Sequence, residues 1–192
     1  AYDLLAISPT AVVLGTEPSS ALLALSTLEA APGRLENLRG PRGISAIIDY
    51  AHTPDALENV LKTLKAIAPS RELCCLFGCG GDRDRSKRPE MGAIAAKYAD
   101  RIVLTSDNSR SENSADIIAE IKAGMDSEAL GKCICIEDRK EAIRMALMTA
   151  RDGSTVLLAG KGHENYQIIG SEKKHFDEKE IVLETFKWMD RN

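Results

Sequence analysis

Four short stretches of the chain hold residue types that bind and orient polar ligands: Asp49–Asp55 (DYAHTPD), Gly78–Arg85 (GCGGDRDR), Asp107–Arg110 (DNSR) and Gly160–Glu164 (GKGHE). In GCGGDRDR the glycines let the backbone turn sharply and bring N–H groups close to a ligand, and Arg83 adds a cation. No Gly-Lys-Ser/Thr follows at Walker spacing and there is no GxGxxG, so a solvated loop with local Asp–Arg pairs stands as the plain alternative. In DNSR, Arg110 offers a planar fork for a carboxylate, while Asp107 and Asn108 can hold an ammonium group. The same Asp-Asn-Ser is also good turn and N-cap material. In GKGHE, Gly160 and Gly162 permit close backbone approach around Lys161, Glu164 can bind an amine, and a lone His163 is more often a hydrogen-bonding loop residue. A simple strand-to-loop turn explains that stretch equally well. In DYAHTPD, Thr53 is placed to cap a helix with Pro54 at its first position. That leaves Asp49 and His52 at a strand tip, where an aspartate commonly binds ribose hydroxyls.

Positioning these residues falls to short apolar runs that alternate with amphipathic segments from Ile44 onward. The runs 44–49, 72–77, 102–105, 133–136 and 155–159 read as strands; 57–68, 91–98, 115–125 and 140–150 read as helices. Continuous apolar strands between helices predict a Rossmann-like α/β fold, a mostly parallel sheet with helices on both faces. Residues 166–169 are expected to add an edge strand before a helix from about 177 to 189. Ligands of such sheets gather outside the carboxyl ends of the strands. The four polar stretches follow the first, second, third and fifth strands, and so converge on one rim. The first thirty residues read as two helical pieces broken at Pro9 and Glu17-Pro18-Ser19, with Leu22, Leu23, Leu25 and Leu28 on one face. Pro32-Gly33-Arg34 and then 37–43 read as a turn and interdomain linker.

With 192 residues, 44% hydrophobic and 28% charged, the composition is that of a soluble globular domain. No apolar run is long enough to span a bilayer. A net charge of −4, without a Lys/Arg block, excludes a nucleic-acid surface. The five cysteines (Cys74, Cys75, Cys79, Cys133, Cys135) lack zinc-ribbon spacing and are expected mostly as small buried hydrophobes in a reducing compartment. The opening at Ala1, inside an apparent helix, is read as that of a fragment.

Taken jointly and in order, DYAHTPD, GCGGDRDRSKRPEMG, DNSR and GKGHENYQ resemble the Mur ligases. Within them the match is to ligases that add the third stem residue to UDP-N-acetylmuramoyl-L-alanyl-D-glutamate. The resemblance covers Pro32 to about Gly170. It implies that residues 1–37 are the helical end of a central ATPase domain and 38–192 the family's C-terminal domain. It implies a cytoplasmic, monomeric enzyme that uses ATP and Mg2+, with the UDP-linked muramoyl dipeptide and meso-diaminopimelate as partners. ATP would convert the D-glutamate side-chain carboxylate to an acyl phosphate, which the incoming amine attacks. The phosphate loop, the Mg2+ ligands and a carbamylated lysine belong to the central domain and are expected outside this sequence, so no metal ligand and no catalytic residue is assigned within it. By the same resemblance Arg34, Asp49 and His52 lie on the ATP side. Arg83, Asp107, Asn108, Ser109, Arg110, Gly160 and Glu164 match the pocket for meso-diaminopimelate. Ser109 stands where that motif usually carries proline, which removes a fixed φ but keeps Arg110. Three alternatives remain beside this reading: a ligase adding L-lysine, a related amide ligase acting on folate or cyanophycin, and a non-catalytic amino-acid or nucleotide-binding module.

Overall fold

A computed structural model describes residues 9–26 and 31–191. By its internal contacts the chain divides into two units, Ala1–Ala31 and Pro32–Asn192. In the first, residues 9–13 are helical and α1 spans Pro18–Ser26, with Gly15 at φ +92° between them. The break at Pro18 is as expected, but the apolar face is not. Leu22 and Leu23 are 60% and 69% exposed, whereas Ala21 is buried and Leu25, one turn on, half-buried. The i, i+4 pair therefore marks the covered side of this helix. Leu28 lies outside the described residues.

The second unit holds β1 (Glu36–Arg39), β2 (Ser45–Asp49), α2 (Pro54–Ile67), β3 (Leu73–Phe77), α3 (Lys87–Tyr98) and β4 (Arg101–Leu104). There follow α4 (Ser114–Lys122), α5 (Ser127–Gly131), β5 (Cys133–Cys135), α6 (Arg139–Met148) and β6 (Thr155–Ala159). The chain then forms β7 (Tyr166–Ile169), β8 (Glu172–His175) and α7 (Glu178–Met189). Six strands make one sheet in the order β1-β2-β6-β3-β4-β5, parallel throughout except that β1 runs antiparallel to β2.

Because side chains alternate along a strand, each central strand feeds two cores. Ile47, Cys75 and Leu157 face one side with Leu57, Leu61, Met91 and Ile121 from α2, α3 and α4. Ile48, Cys74, Leu76 and Leu158 face the other with Ile143, Leu147, Val182 and Phe186 from α6 and α7. Each buried Leu, Ile or Phe stabilises the fold by roughly 1.5–3 kcal/mol, so β3 and β6, covered on both faces, are the rigid centre. Thr53 Oγ1 accepts the Ala56 N–H and Pro54 occupies the first turn of α2, which stops β2's continuation at the tip of DYAH.

Two expectations change. Residues 37–43 are not a free linker: β1 begins at Glu36, and a 3-10 turn over Pro41–Gly43 follows. A four-residue edge strand, alternately half-buried and exposed, carries too little apolar pattern to announce itself. Residues 166–169 do form a strand, but it leaves the sheet to pair with β8 in a separate two-stranded ribbon. Its partner, Glu-Lys-Lys-His, is exposed throughout and gives no apolar signal. Of the cysteines, Cys74, Cys75 and Cys79 are buried, and burial pushes the Cys74 and Cys79 thiols up to about 12. Cys133 is half-buried and Cys135 exposed.

Candidate functional site

The loops after β3 and β4 are pressed together, and glycine is what allows it. A Cβ at Gly78 would collide with the Thr105 carbonyl, and one at Gly81 with the Ser109 carbonyl. The two loops are then stitched: Gly81 N–H donates to Asn108 O at 2.9 Å, and Arg110 Nη1 donates to Gly81 O at 2.8 Å. Arg83 and Arg110 both approach Gly80: a Cβ there would come 3.8 Å from Arg83 Cγ and 3.0 Å from Arg110 Nη1. Arg83 is exposed, with Nη1 on the Asp82 carbonyl at 3.2 Å. Arg110 is half-buried, and Nη1 also reaches Asn108 O at 3.2 Å. Among the described residues, that leaves the Nη2/Nε edge of its fork uncommitted. Arg110 sits at φ +51°, a region that costs an L residue about 1–2 kcal/mol and is held only by its surroundings.

An ammonium group already occupies the acid and amide cluster below this rim, and it is the protein's own. Lys161 is fully buried, with Nζ 3.3 Å from Asn108 Oδ1, 3.4 Å from Glu164 Oε2 and 3.7 Å from Asp107 Oδ1. Asn108 Oδ1 also accepts the Ile168 N–H at 2.9 Å. Both of these neighbours are pure donors, so the carbonyl end of the amide must face them. The Nδ2 end then donates to Glu164 Oε2 at 3.0 Å. Asn108 thus has an N–H, not an oxygen, left to offer a ligand. The cluster carries one Lys against Asp107 and Glu164, so it is one positive charge short. Gly160 follows at φ +116°, and a Cβ there would come 2.9 Å from Asp107 Oδ2. Ser109 is buried, and its carbonyl accepts the Glu112 N–H at 3.0 Å.

The tip of β2 is built differently. Asp49 Oδ2 accepts the Leu35 N–H and Oδ1 the Ala51 N–H, both at 2.9 Å, so this carboxylate anchors the Pro-Gly-Arg turn. Leu35 is at φ +47°. Exposed Arg34 lies over the Tyr50 ring at 5.0 Å, and the His52 and His163 rings lie 4.7 and 5.4 Å from it. His52 Nδ1 is 2.8 Å from the Tyr50 carbonyl. This side touches the GKGHE loop directly: Gly33 and Gly162, both at positive φ, are packed without room for a Cβ, against Gly162–His163 and Tyr50 respectively. Arg34, Asp49 and His52 are therefore together, and so are Arg83 with Asp107–Arg110 and Gly160 with Glu164.

Buried charges that sequence reasoning missed hold these loops from behind. Fully buried Arg88 of α3 grips Glu112 with both terminal nitrogens at 2.8 Å and reaches the Gly80 carbonyl at 3.2 Å. Hydrogen bonds from Arg88 and from the Asp82 N–H hold the Glu112 carboxyl at about 2, well below the usual carboxylate range. Arg139, at the start of α6, donates to Ser106 O at 3.2 Å and Ala159 O at 2.9 Å, the last carbonyls before the DNSR and GKGHE loops. It pairs at 2.8 Å with Glu178, and both side chains are fully buried. Burial pushes the Glu178 carboxyl up, with Arg139 pulling against it. Burial would lower Arg139, but Glu178 and Asp107 outweigh it. A charged residue heading a helix reads as a solvated face in sequence; only its distant partners reveal it.

The Mur ligase, glutamate ligase domain family matches residues 33–162. A UDP-N-acetylmuramoyl-L-alanyl-D-glutamate--2,6-diaminopimelate ligase of Bacteroides thetaiotaomicron is 49% identical over 187 residues, 97% of this chain and 39% of its own. One of Syntrophomonas wolfei is 49% identical over 183 residues, 95% of this chain and 37% of its own. A solved structure of a ligase of that name superposes with a TM-score of 0.79 at 40% identity, covering 98% of this chain and 37% of that one. The chain spans about two fifths of the length of the curated relatives it matches.

Proposed function

The chain belongs to the Mur ligase family, through its glutamate ligase domain, and on that premise we propose that it is the acceptor-binding part of an ATP-dependent ligase. The ligase joins meso-diaminopimelate to UDP-N-acetylmuramoyl-L-alanyl-D-glutamate in peptidoglycan synthesis, as a cytoplasmic monomer. The names of the relatives support the substrate, and the observation that carries it here is the half-buried Arg110 with its Nη2/Nε edge uncommitted at the rim.

In this reading Arg110 takes the distal carboxylate of the acceptor as a fork. The spare Asn108 N–H assists it. Glu164, in a cluster one positive charge short, takes the distal ammonium, and Arg83 closes the rim. The acceptor's other amine then attacks the acyl phosphate that ATP forms on the D-glutamate carboxylate, and phosphate leaves. Arg34 meets the ATP phosphates, with Asp49 and His52 beside the nucleoside. Because a division at 37/38 would cut β1, residues 1–31 are assigned to the end of the preceding ATPase domain and 32–192 to the C-terminal domain. Magnesium is implied by the family. Its ligands are assigned outside this chain.

L-Lysine lacks the distal carboxylate and would leave Arg110 unpaired; sites built around a polar partner reject such analogues by about 10⁴-fold. The test is ADP release by the full-length enzyme. Release should require the UDP-linked dipeptide together with meso-diaminopimelate, and turnover with the dipeptide and lysine at an equal rate would refute the assignment.

A further inference from the structure

The four residues 167–170 each contribute to a contact with the loop 106–110. Gln167 Nε2 donates to Ser106 Oγ at 2.9 Å and to the Asp107 carbonyl at 3.0 Å. The Ile168 N–H donates to Asn108 Oδ1 at 2.9 Å, and the Ile168 carbonyl accepts the Arg110 N–H at 3.3 Å. Ile169 bridges to Arg110 in parallel, and the Gly170 N–H donates to the Arg110 carbonyl at 2.8 Å. Both backbone groups of Arg110 are thus held by one ribbon. Those bonds flank the residue at φ +51°, a conformation that persists only where the surroundings over-determine it.

On its far side the ribbon is tied by His175 Nε2 to Glu180 at 2.8 Å; towards the 106–110 loop Gln167 is the side chain that holds it. Ile169 is 46% exposed and every residue of β8 is exposed, whereas Gln167 is 7% exposed. Its amide has two N–H donors, and both are given to the DNSR side. A hydrophobic side chain could fill the space but could not make these bonds.

We propose that Gln167 is a positioning residue for acceptor recognition, tying the β7–β8 ribbon to the 106–110 loop so that Arg110 is held in the pose that reads the distal carboxylate. This rests on the assignment of that loop to the acceptor.

The test uses the full-length enzyme with Gln167→Met, which keeps the length and removes the donors, and Gln167→Glu, which keeps the shape and sets an acceptor against the Asp107 carbonyl. Steady-state kinetics should show the KM for meso-diaminopimelate rising about tenfold, in keeping with the loss of two modest hydrogen bonds. The KM for ATP should stay within about twofold, and selectivity for diaminopimelate over lysine should fall by the same about tenfold. A purely structural role would lower kcat through the active fraction and leave KM and selectivity in place; that result overturns the proposal. Arg110→Ala runs alongside. Selectivity unchanged in Arg110→Ala sinks the acceptor assignment itself. Selectivity lost there but kept in the Gln167 variants sinks only the role of Gln167. Should Gln167→Met fail to fold, Gln167→Asn keeps the amide one methylene short. Hydrogen exchange at the Arg110 amide should then be faster than in the parent, and unchanged exchange overturns the proposal.

Discussion

The two sides of the rim are built to different standards. On the DNSR and GKGHE side, Asp107, Asn108, Ser109 and Lys161 are buried, their amide and carboxylate orientations are set by pure donors, and buried arginines stand behind the loops. On the DYAHTPD side, Arg34 and His52 are exposed, and Asp49 spends both oxygens on its own backbone. The first side is rigidly ordered, and on the proposed reading this preorganises it for a small ligand with paired charges, where misplacement of a fork would cost binding. The second offers an open, partly aromatic surface. On the proposed reading, the contrast places acceptor recognition in this domain and leaves the nucleotide side to be completed by groups beyond it.

The contrast can be broken hardest from behind. Arg139→Met leaves Glu178 buried without its partner, and such breaks cost about 3–5 kcal/mol; chemical denaturation of the full-length enzyme should show a loss of that size. A loss under about 0.5 kcal/mol, the ordinary surface value, would mean that the pair does not carry the rim. Next, Arg110→Ala should raise the KM for diaminopimelate by about 10- to 100-fold, the value of a hydrogen bond to a charged group, with a much smaller change for ATP. Equal losses for both substrates would erase the distinction between the two sides.

A smaller effect is expected from acid. The folded-state Glu112 carboxyl lies at about 2 against an ordinary 4.5, so its pairing stabilises the fold above 4.5 and is lost as pH falls toward about 2. Glu112→Gln should therefore flatten the acid limb of the stability curve within that window, read by melting temperature against pH. An unchanged limb would discount the Arg88–Glu112 clamp. The smallest effect belongs to Arg34→Ala. Stability should move by less than about 0.5 kcal/mol, while the KM for ATP rises and that for diaminopimelate stays. A large drop in melting temperature would show that the open side is also structural.

The central strands were legible because β2, β3, β4 and β6 are apolar runs buried almost end to end. Their tips then followed from the general rule for open sheets, and with them the placing of Asp49, Asp107–Arg110 and Gly160–Glu164. What stayed hidden depends on partners far along the chain. β1 and β8 are short and polar, so no periodicity marks them. Arg88 and Arg139 find their carboxylates 24 and 39 residues away. Lys161 looked like a loop cation; only the fold shows that it fills the cluster in which a ligand ammonium was expected. The loops singled out by the resemblance to the Mur ligases do lie together in the fold, but the direction in which Asn108 presents its amide comes from the Ile168 N–H, on an element the sequence placed in the wrong sheet.

The most direct test of preorganised acceptor recognition is a competition in one vessel. The full-length enzyme is given ATP, the UDP-linked dipeptide and equal concentrations of meso-diaminopimelate and L-lysine, and the products are weighed by mass spectrometry. The fork of Arg110 predicts a product carrying diaminopimelate almost alone; lysine incorporated in equal or greater amount would contradict it.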